Sequence, residues 1–262
     1  MFGPILVIIA ALVGIVSAMV GLGGGFLVVP ILVFFFNLNS HEAVGTSMVM
    51  VIFTAISSTF AYSRQKRIDY SVGLKLAMGT VPGALVGAYL TTLVSGKLLT
   101  AMFGAFLLFV AFQIARTGSN NNATNTGSER NIVDSKGVRF NYRARVAPGV
   151  PLSFLGGVVS GFFGVGGGTV LVPVMAMVVG MPMHVAIAGS MFIMCFTSVS
   201  GALTHLSLGN VVPEYALYLS IGIIFGTQIG AAAARRLKSQ LLRKVFAASL
   251  IIIGIRMILT IV

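Results

Sequence analysis

Two stretches of this chain have the residue types and spacing to bind a ligand through backbone alone. One is Gly21-Leu22-Gly23-Gly24-Gly25, followed by Phe26-Leu27-Val28-Val29-Pro30; the other is Gly164-Val165-Gly166-Gly167-Gly168, followed by Thr169-Val170-Leu171-Val172-Pro173. Glycine costs a helix roughly 1 kcal/mol per residue against alanine. Bare backbone in lipid costs more still unless it is buried in protein or lines a wet cavity. Each run therefore predicts a helix broken at membrane depth, with a second half-helix starting near residue 26 or 169. The first N–H groups of such a half-helix have no intrahelical partner, and its dipole is positive at that end. The backbone around Gly23, Gly24, Gly25 and Phe26, and around Gly166, Gly167, Gly168 and Thr169, is thus a candidate anion cradle. The alternative is close helix packing, which small residues promote in membranes. Gly79/Gly83/Gly87 and Gly222/Gly226/Gly230, spaced four apart, fit packing better.

Side chains add fewer candidates. Ser47, Thr54 and Ser57 recur as Ser190, Thr197 and Ser200, on one broad helical face. Ser47, Thr54, Ser190 and Thr197 are expected to hydrogen-bond a substrate; the competing reading satisfies such hydroxyls on their own i−4 carbonyls or between helices. Gln228 is an intramembrane amide with no polar mate and needs a partner, so it joins the substrate-binding candidates. His41 and His184 sit at helix mouths and read as capping or interfacial residues. All five carboxylates, Glu42, Asp69, Glu129, Asp134 and Glu214, fall in or beside loops, which argues against a carboxylate proton relay. No Walker motif, metal cluster or nucleophile–base arrangement is evident. The expectation is a non-enzyme with no catalytic residues, metal or cofactor.

The elements that must hold these residues follow from composition. Of 262 residues, 57% are hydrophobic and 8% charged, against about 25% charged in soluble domains. Mean hydropathy is +1.02. Soluble, secreted and disordered classes are excluded, leaving an all-α integral membrane protein, a polytopic helical bundle. Apolar runs cover 3–20, 26–37, 43–62, 70–93, 98–115, 149–163, 169–180, 185–207, 212–234 and 241–262. The N-terminal run lacks a basic n-region and reads as a retained membrane segment. The single cysteine, Cys195, excludes an intrachain disulfide. Residues 116–147 begin with the low-complexity TGSNNNATNTGSER and end with the basic KGVRFNYRAR, which reads as a flexible cytoplasmic linker whose second half lies on the membrane surface.

That linker separates similar halves, 1–115 and 148–262. Shifted by 143 residues, the chain matches itself without a gap: Ser17, Pro30, His41, Ser47 and Gly83 meet Ser160, Pro173, His184, Ser190 and Gly226. Seventeen Lys and Arg face five Asp and Glu, clustered at 64–67, 116–145 and 235–244. An odd number of crossings per half puts all three clusters on one side, the cytoplasm, by the positive-inside tendency. The halves are then inverted repeats, as in many secondary transporters, each with a Gly-broken or re-entrant helix and with both chain termini outside the cytoplasm. A parallel 4+4 arrangement is the alternative. The basic charge is assigned to the lipid bilayer, not to nucleic acid; homo-oligomer formation is left open.

With its paired GxGGG-x4-P breaks, internal repeat and mid-chain linker, the chain resembles the TauE/SafE family of sulfite exporters over nearly its whole length outside 116–147. The resemblance implies a multi-pass protein of the cytoplasmic membrane that exports a small sulfur-containing anion, sulfite or an organosulfonate. An anion or weak-acid channel and a non-transporting scaffold are the other readings.

Overall fold

The computed structural model describes residues 3–116, 127–234, 251–252 and 254–259. The Asn-rich run 117–126 and the basic cluster at 235–244 lie outside the described residues. In chain order the helices are α1 (Gly3–Val20), α2 (Gly25–Phe35), α3 (Ser40–Arg64), α4 (Tyr70–Leu90) and α5 (Gly96–Arg116), then α6 (Val146–Phe163), α7 (Gly168–Pro173), α8 (Met183–Ser207) and α9 (Pro213–Ala233). Among the described residues six helices are long and apolar enough to cross a membrane: α1, α3, α4, α6, α8 and α9. The chain is a polytopic helical membrane protein.

Local sequence sets the helix ends. Asn39 caps α3 in a reciprocal box with Glu42, and Asp69 accepts from Val72 N at the start of α4. Both satisfy amides a helix leaves orphaned. Beyond Pro173 the ladder of α7 widens into a π-helical stretch, Val174–Val178. Such widening is one way a helix absorbs a proline's missing donor.

Glycines set the packing, and the two halves repeat it with roles exchanged. A Cβ at Gly83 would overlap the carbonyl of Phe154, and one at its mate Gly226 the carbonyl of Ala11, which is the mate of Phe154. Gly87 against Val158 and Gly230 against Ile15 repeat the pattern a turn later. So α4 lies parallel to α6, and α9 parallel to α1, at backbone contact. The mates α3 and α8 run antiparallel: Gly45 meets Asn210, Met48 meets Gly201, and Thr59 Oγ1 lies 3.3 Å from Cys195 Sγ.

The direction of α1 decides what the glycine run must do. Val212 N donates to Thr46 Oγ1 at 3.0 Å near the starts of α9 and α3, while Gln65 Nε2 donates to Ala231 O near their ends. Hence α9, and with it α1, runs with α3. Tyr62 near the end of α3 donates to Ala18 O at 2.6 Å near the end of α1. The chain must therefore come back between Gly21 and Phe35. This return pass is discontinuous, a turn followed by the 11-residue α2.

The segment expected to be a flexible linker is corrected in its second half. Ser128–Val133 (β1) and Arg139–Ala144 (β2) pair antiparallel, with Ile132 opposite Phe140 and Arg130 opposite Tyr142. Asp134 closes the turn by accepting from Lys136 N and Val138 N. Its other oxygen accepts from Arg67 Nη2 at 2.8 Å and Nε at 3.2 Å, in a pair that is almost wholly buried. Tyr142 OH donates to Asp69 Oδ2 at 2.7 Å, and Ser135 N to Gln65 O. Alternating apolar residues give the hairpin an inner face, and the turn between α3 and α4 supplies its dock.

The Arg67 guanidinium holds the Asp134 carboxyl down at about 2. A depressed carboxylate contributes stability that is complete above its ordinary range and is lost only as pH falls through the lowered value. The hairpin is expected to stay docked at pH 4 in the wild type. Asp134→Asn is expected to weaken docking by about 2 kcal/mol at pH 7, the scale of a charged hydrogen bond. Hydrogen exchange of amides 128–144 reads this as roughly thirtyfold faster opening, at 1.4 kcal/mol per decade. Unchanged protection would contradict the lock.

Candidate functional site

Each half breaks where its glycines fall. Gly21, Gly23 and Gly24 have φ of 83°, 85° and 83°; Gly164, Gly166 and Gly167 have 68°, 80° and 81°. These left-handed conformations cost little only to glycine. The turn reverses α1 into α2 and α6 into α7. Leu27 and Val28 both reach Gly24 O, and Val170 and Leu171 both reach Gly167 O, as the short helices begin.

The two breaks meet. A Cβ on Gly25 would overlap the carbonyl of Gly164, and one on Gly168 would overlap the carbonyl of Gly21. Ser47 Oγ lies 3.0 Å from Gly164 O, and Ser190 Oγ lies 3.2 Å from Gly21 O. Each serine also reaches a carbonyl of its own helix, Val44 O at 2.8 Å and Ile187 O at 2.9 Å. A hydroxyl has one hydrogen to share between the two acceptors. Val51 borders Gly166, and Met194 borders both Gly23 and Gly166. Val51 and Met194 are repeat mates near the middle of α3 and α8, so the turns cross at the centre of the bundle. Residues 21–26 and 164–168 are buried, and the breaks are closed on each other in this conformation.

The expected site residues therefore divide. Gly23, Gly24, Gly25, Gly166, Gly167 and Gly168 come together, with Phe26 and Thr169 opening the short helices and Ser47 and Ser190 clasping the opposite turn. Thr54 bonds back to Met50 O, and Thr197 to Ile193 O and to Thr80 Oγ1 at 2.7 Å. Gln228 is not at the breaks. Its Nε2 lies 2.8 Å from both the carbonyl and the hydroxyl of Ser57, which Thr227 also meets at 2.7 Å. It lines a separate cavity with Arg64, Gln65 and Lys136. The two histidines at helix mouths lie elsewhere, His184 by Phe140 on the hairpin and His41 by Gly96.

Two residues at the breaks carry no expectation from the sequence beyond matching in the repeat. Ser17 and Ser160 are mates, both at 0% exposure, and neither hydroxyl has a hydrogen-bond partner. Ser17 borders Gly24, and Ser160 borders Gly167. Thr169 Oγ1 is likewise buried and unpartnered. A buried orphan hydroxyl costs about 1–3 kcal/mol. The repeat thus places one such serine hydroxyl beside each break.

Comparison with known proteins agrees with this architecture. The family model described as "Sulfite exporter TauE/SafE" matches residues 6–257. The chain is 34% identical to the probable membrane transporter protein YunE of Bacillus subtilis (strain 168), over 97% of this chain and 96% of that one. It is 27% identical to a probable membrane transporter protein of Methanocaldococcus jannaschii, over 98% and 95%. A sulfite exporter TauE/SafE family protein of Arabidopsis thaliana is 27% identical over 62% of this chain and 36% of its own. No solved structure matches. A whole-length family match, a 34% identical full-length relative and a duplicated glycine break in a membrane-spanning bundle converge on one conclusion: the chain belongs to the TauE/SafE sulfite exporter family of membrane transporters.

Proposed function

We propose that this protein exports a small sulfur-containing anion, sulfite or an organosulfonate, across the cytoplasmic membrane by alternating access. Its two halves act as inverted repeats, and the anion passes between their glycine breaks. The observation that carries this reading is the meeting of the two breaks, each opening a short helix and each flanked by an orphan serine hydroxyl. Amides at a helix start favour negative charge, and the serines offer donors that the protein leaves unused. The antiparallel mates α3 and α8 support the inverted relation. The basic residues at 64–67 and on the hairpin, which share one end of the bundle through the Arg67–Asp134 pair, support a cytoplasmic placement of that end. Both chain termini then lie outside the cytoplasm.

Purified protein in liposomes, offered sulfite, sulfate, thiosulfate and short sulfonates, tests the substrate class. Saturable flux of sulfite or a sulfonate is expected; no flux of any of them contradicts the reading.

The serines give a sharper test. Replacing both Ser17 and Ser160 by alanine removes two unsatisfied hydroxyls, so thermal stability is expected to stay level or rise. If the hydroxyls hold the anion, KM is expected to rise about tenfold, the worth of roughly 1.4 kcal/mol. A double variant with unchanged KM shows that the serines do not touch substrate.

A further inference from the structure

At the end of the bundle where α3 and α9 finish, a cavity of about 610 Å³ opens beneath the turn of the hairpin. That volume is ordinary for a small-molecule site, about 300–1,000 Å³. Its polar lining is Arg64, Gln65, Lys136 and Gln228, set on alanines of α3 and α9. Among the described residues no carboxylate lines it. The nearby carboxylate on the hairpin, Asp134, is taken up by Arg67 and by the turn amides. Arg64 lies over the Phe60 ring, 4.2 Å from its centroid, which steadies the guanidinium without neutralising it. The sequence continues past Ala234 with Arg235 and Arg236.

The two amides sharpen the chemistry. Gln228 turns its NH2 group to Ser57, and Gln65 donates to Ala231 O at 3.1 Å. Both hydrogens of the Gln228 NH2 group are thus committed to the bundle, and one of the two on Gln65, which leaves the oxygen as the remaining end of Gln228. Gln65 Oε1 is buried without a partner. Two cations and the acceptor oxygen of Gln228 suit an anion that brings a donor hydrogen of its own.

We propose that this cavity is a capture site for a monoanion bearing a hydroxyl or amino group, its charged head held by Arg64 and Lys136 and its donor by the side-chain oxygen of Gln228. The hairpin completes the site, because Lys136 sits in its turn. The site is distinct from the glycine breaks. It would load the transport route only if the reading of those breaks is right, but binding is measured without flux, so the two ideas can fail separately.

The test is calorimetric titration of the full chain in neutral detergent, in a Gly24→Leu/Gly167→Leu background that fills the breaks. The probes are 2-hydroxyethanesulfonate and ethanesulfonate, which differ by one hydroxyl. The hydroxylated probe is expected to bind at least fivefold more tightly. Lys136→Gln, on an exposed turn that cannot unfold the bundle, and Arg64→Gln are each expected to weaken both probes at least fivefold. Gln228→Met is expected to erase the difference between probes and leave ethanesulfonate binding in place. Affinities untouched by Lys136→Gln and Arg64→Gln would overturn the proposal. So would a site that holds phosphatidylglycerol in nanodiscs and binds neither soluble sulfonate, since that occupant would be a lipid headgroup.

Discussion

Leucine at both Gly24 and Gly167 is expected to abolish anion flux, by more than a hundredfold, in a protein that still folds. Both residues sit at φ near 80°, where any residue with a Cβ is strained by about 1–2 kcal/mol. A side chain at Gly24 would fall among Val13, Ser17 and Met50, at 3.1–3.5 Å from its first carbon. These neighbours are side chains, which can yield; at Gly167 the nearest atoms are the Gly156 carbonyl oxygen and Ser160 Cβ, both at 3.2 Å, a tight approach that needs a shift of only a few tenths of an ångström. The leucine is then set against the orphan Ser17 hydroxyl at the start of α2, where the proposed anion site lies. A hundredfold loss corresponds to about 2.7 kcal/mol of barrier, well within what excluding a ligand from its donors can do. The next residue on each break behaves differently. Gly25 and Gly168 have ordinary helical φ, but a Cβ there would overlap a carbonyl of the opposite half, and backbone cannot rotate away. Gly25→Ala with Gly168→Ala is expected to cost at least about 3 kcal/mol and to lower the melting midpoint by about 6–12 °C. Paired melting and flux curves check both statements. Flux retained in a folded Gly24→Leu/Gly167→Leu variant would remove the cradle from the account.

The second large effect concerns voltage. One charge crossing a potential of 100 mV is worth about 2.3 kcal/mol, close to a fiftyfold equilibrium ratio at 1.4 kcal/mol per decade. With the lumen held 100 mV negative, a carrier that moves a monoanion uncoupled is expected to drive it outward to about that ratio. Reversing the potential reverses the direction. Export in a cell with a negative interior then needs no coupling ion. A sulfite distribution indifferent to imposed voltage would show obligatory coupling to a compensating charge and contradict uncoupled export.

The breaks are legible in the sequence because glycine alone tolerates their backbone, and three glycines in a row interrupt an apolar helix wherever they fall. The spans are legible from length and hydropathy, and the duplication from a gapless shift of 143 residues. What the repeat does not carry is which parts of the two halves touch. That Ser47 clasps Gly164 and Ser190 clasps Gly21 is a property of assembly, absent from any local pattern. Ser17 and Ser160 match in the repeat, but serine in a helix commonly bonds its own i−4 carbonyl, so an orphan hydroxyl has no signature in residue type. The hairpin is hidden by its neighbour: the Asn-rich run before it dominates the composition. The alternation of Ile132, Phe140, Tyr142 and Ala144, which marks an inner strand face, is present throughout. Gln228 needs a partner by its chemistry, and Ser57 supplies it; its place beside Lys136 depends on the hairpin and has no signal in sequence spacing.

The central claim is that the paired glycine turns hold an anion, and selenite offers the most direct view of it. Selenite shares the pyramidal trioxyanion shape of sulfite and adds an electron-dense, anomalously scattering centre. A structure of the full chain with selenite is predicted to place that centre between the two breaks, within hydrogen-bonding reach of amides at Gly24–Phe26 and Gly167–Thr169 and of the Ser17 and Ser160 hydroxyls. Selenium found only elsewhere, with both breaks still closed on each other under saturating selenite, would contradict the account.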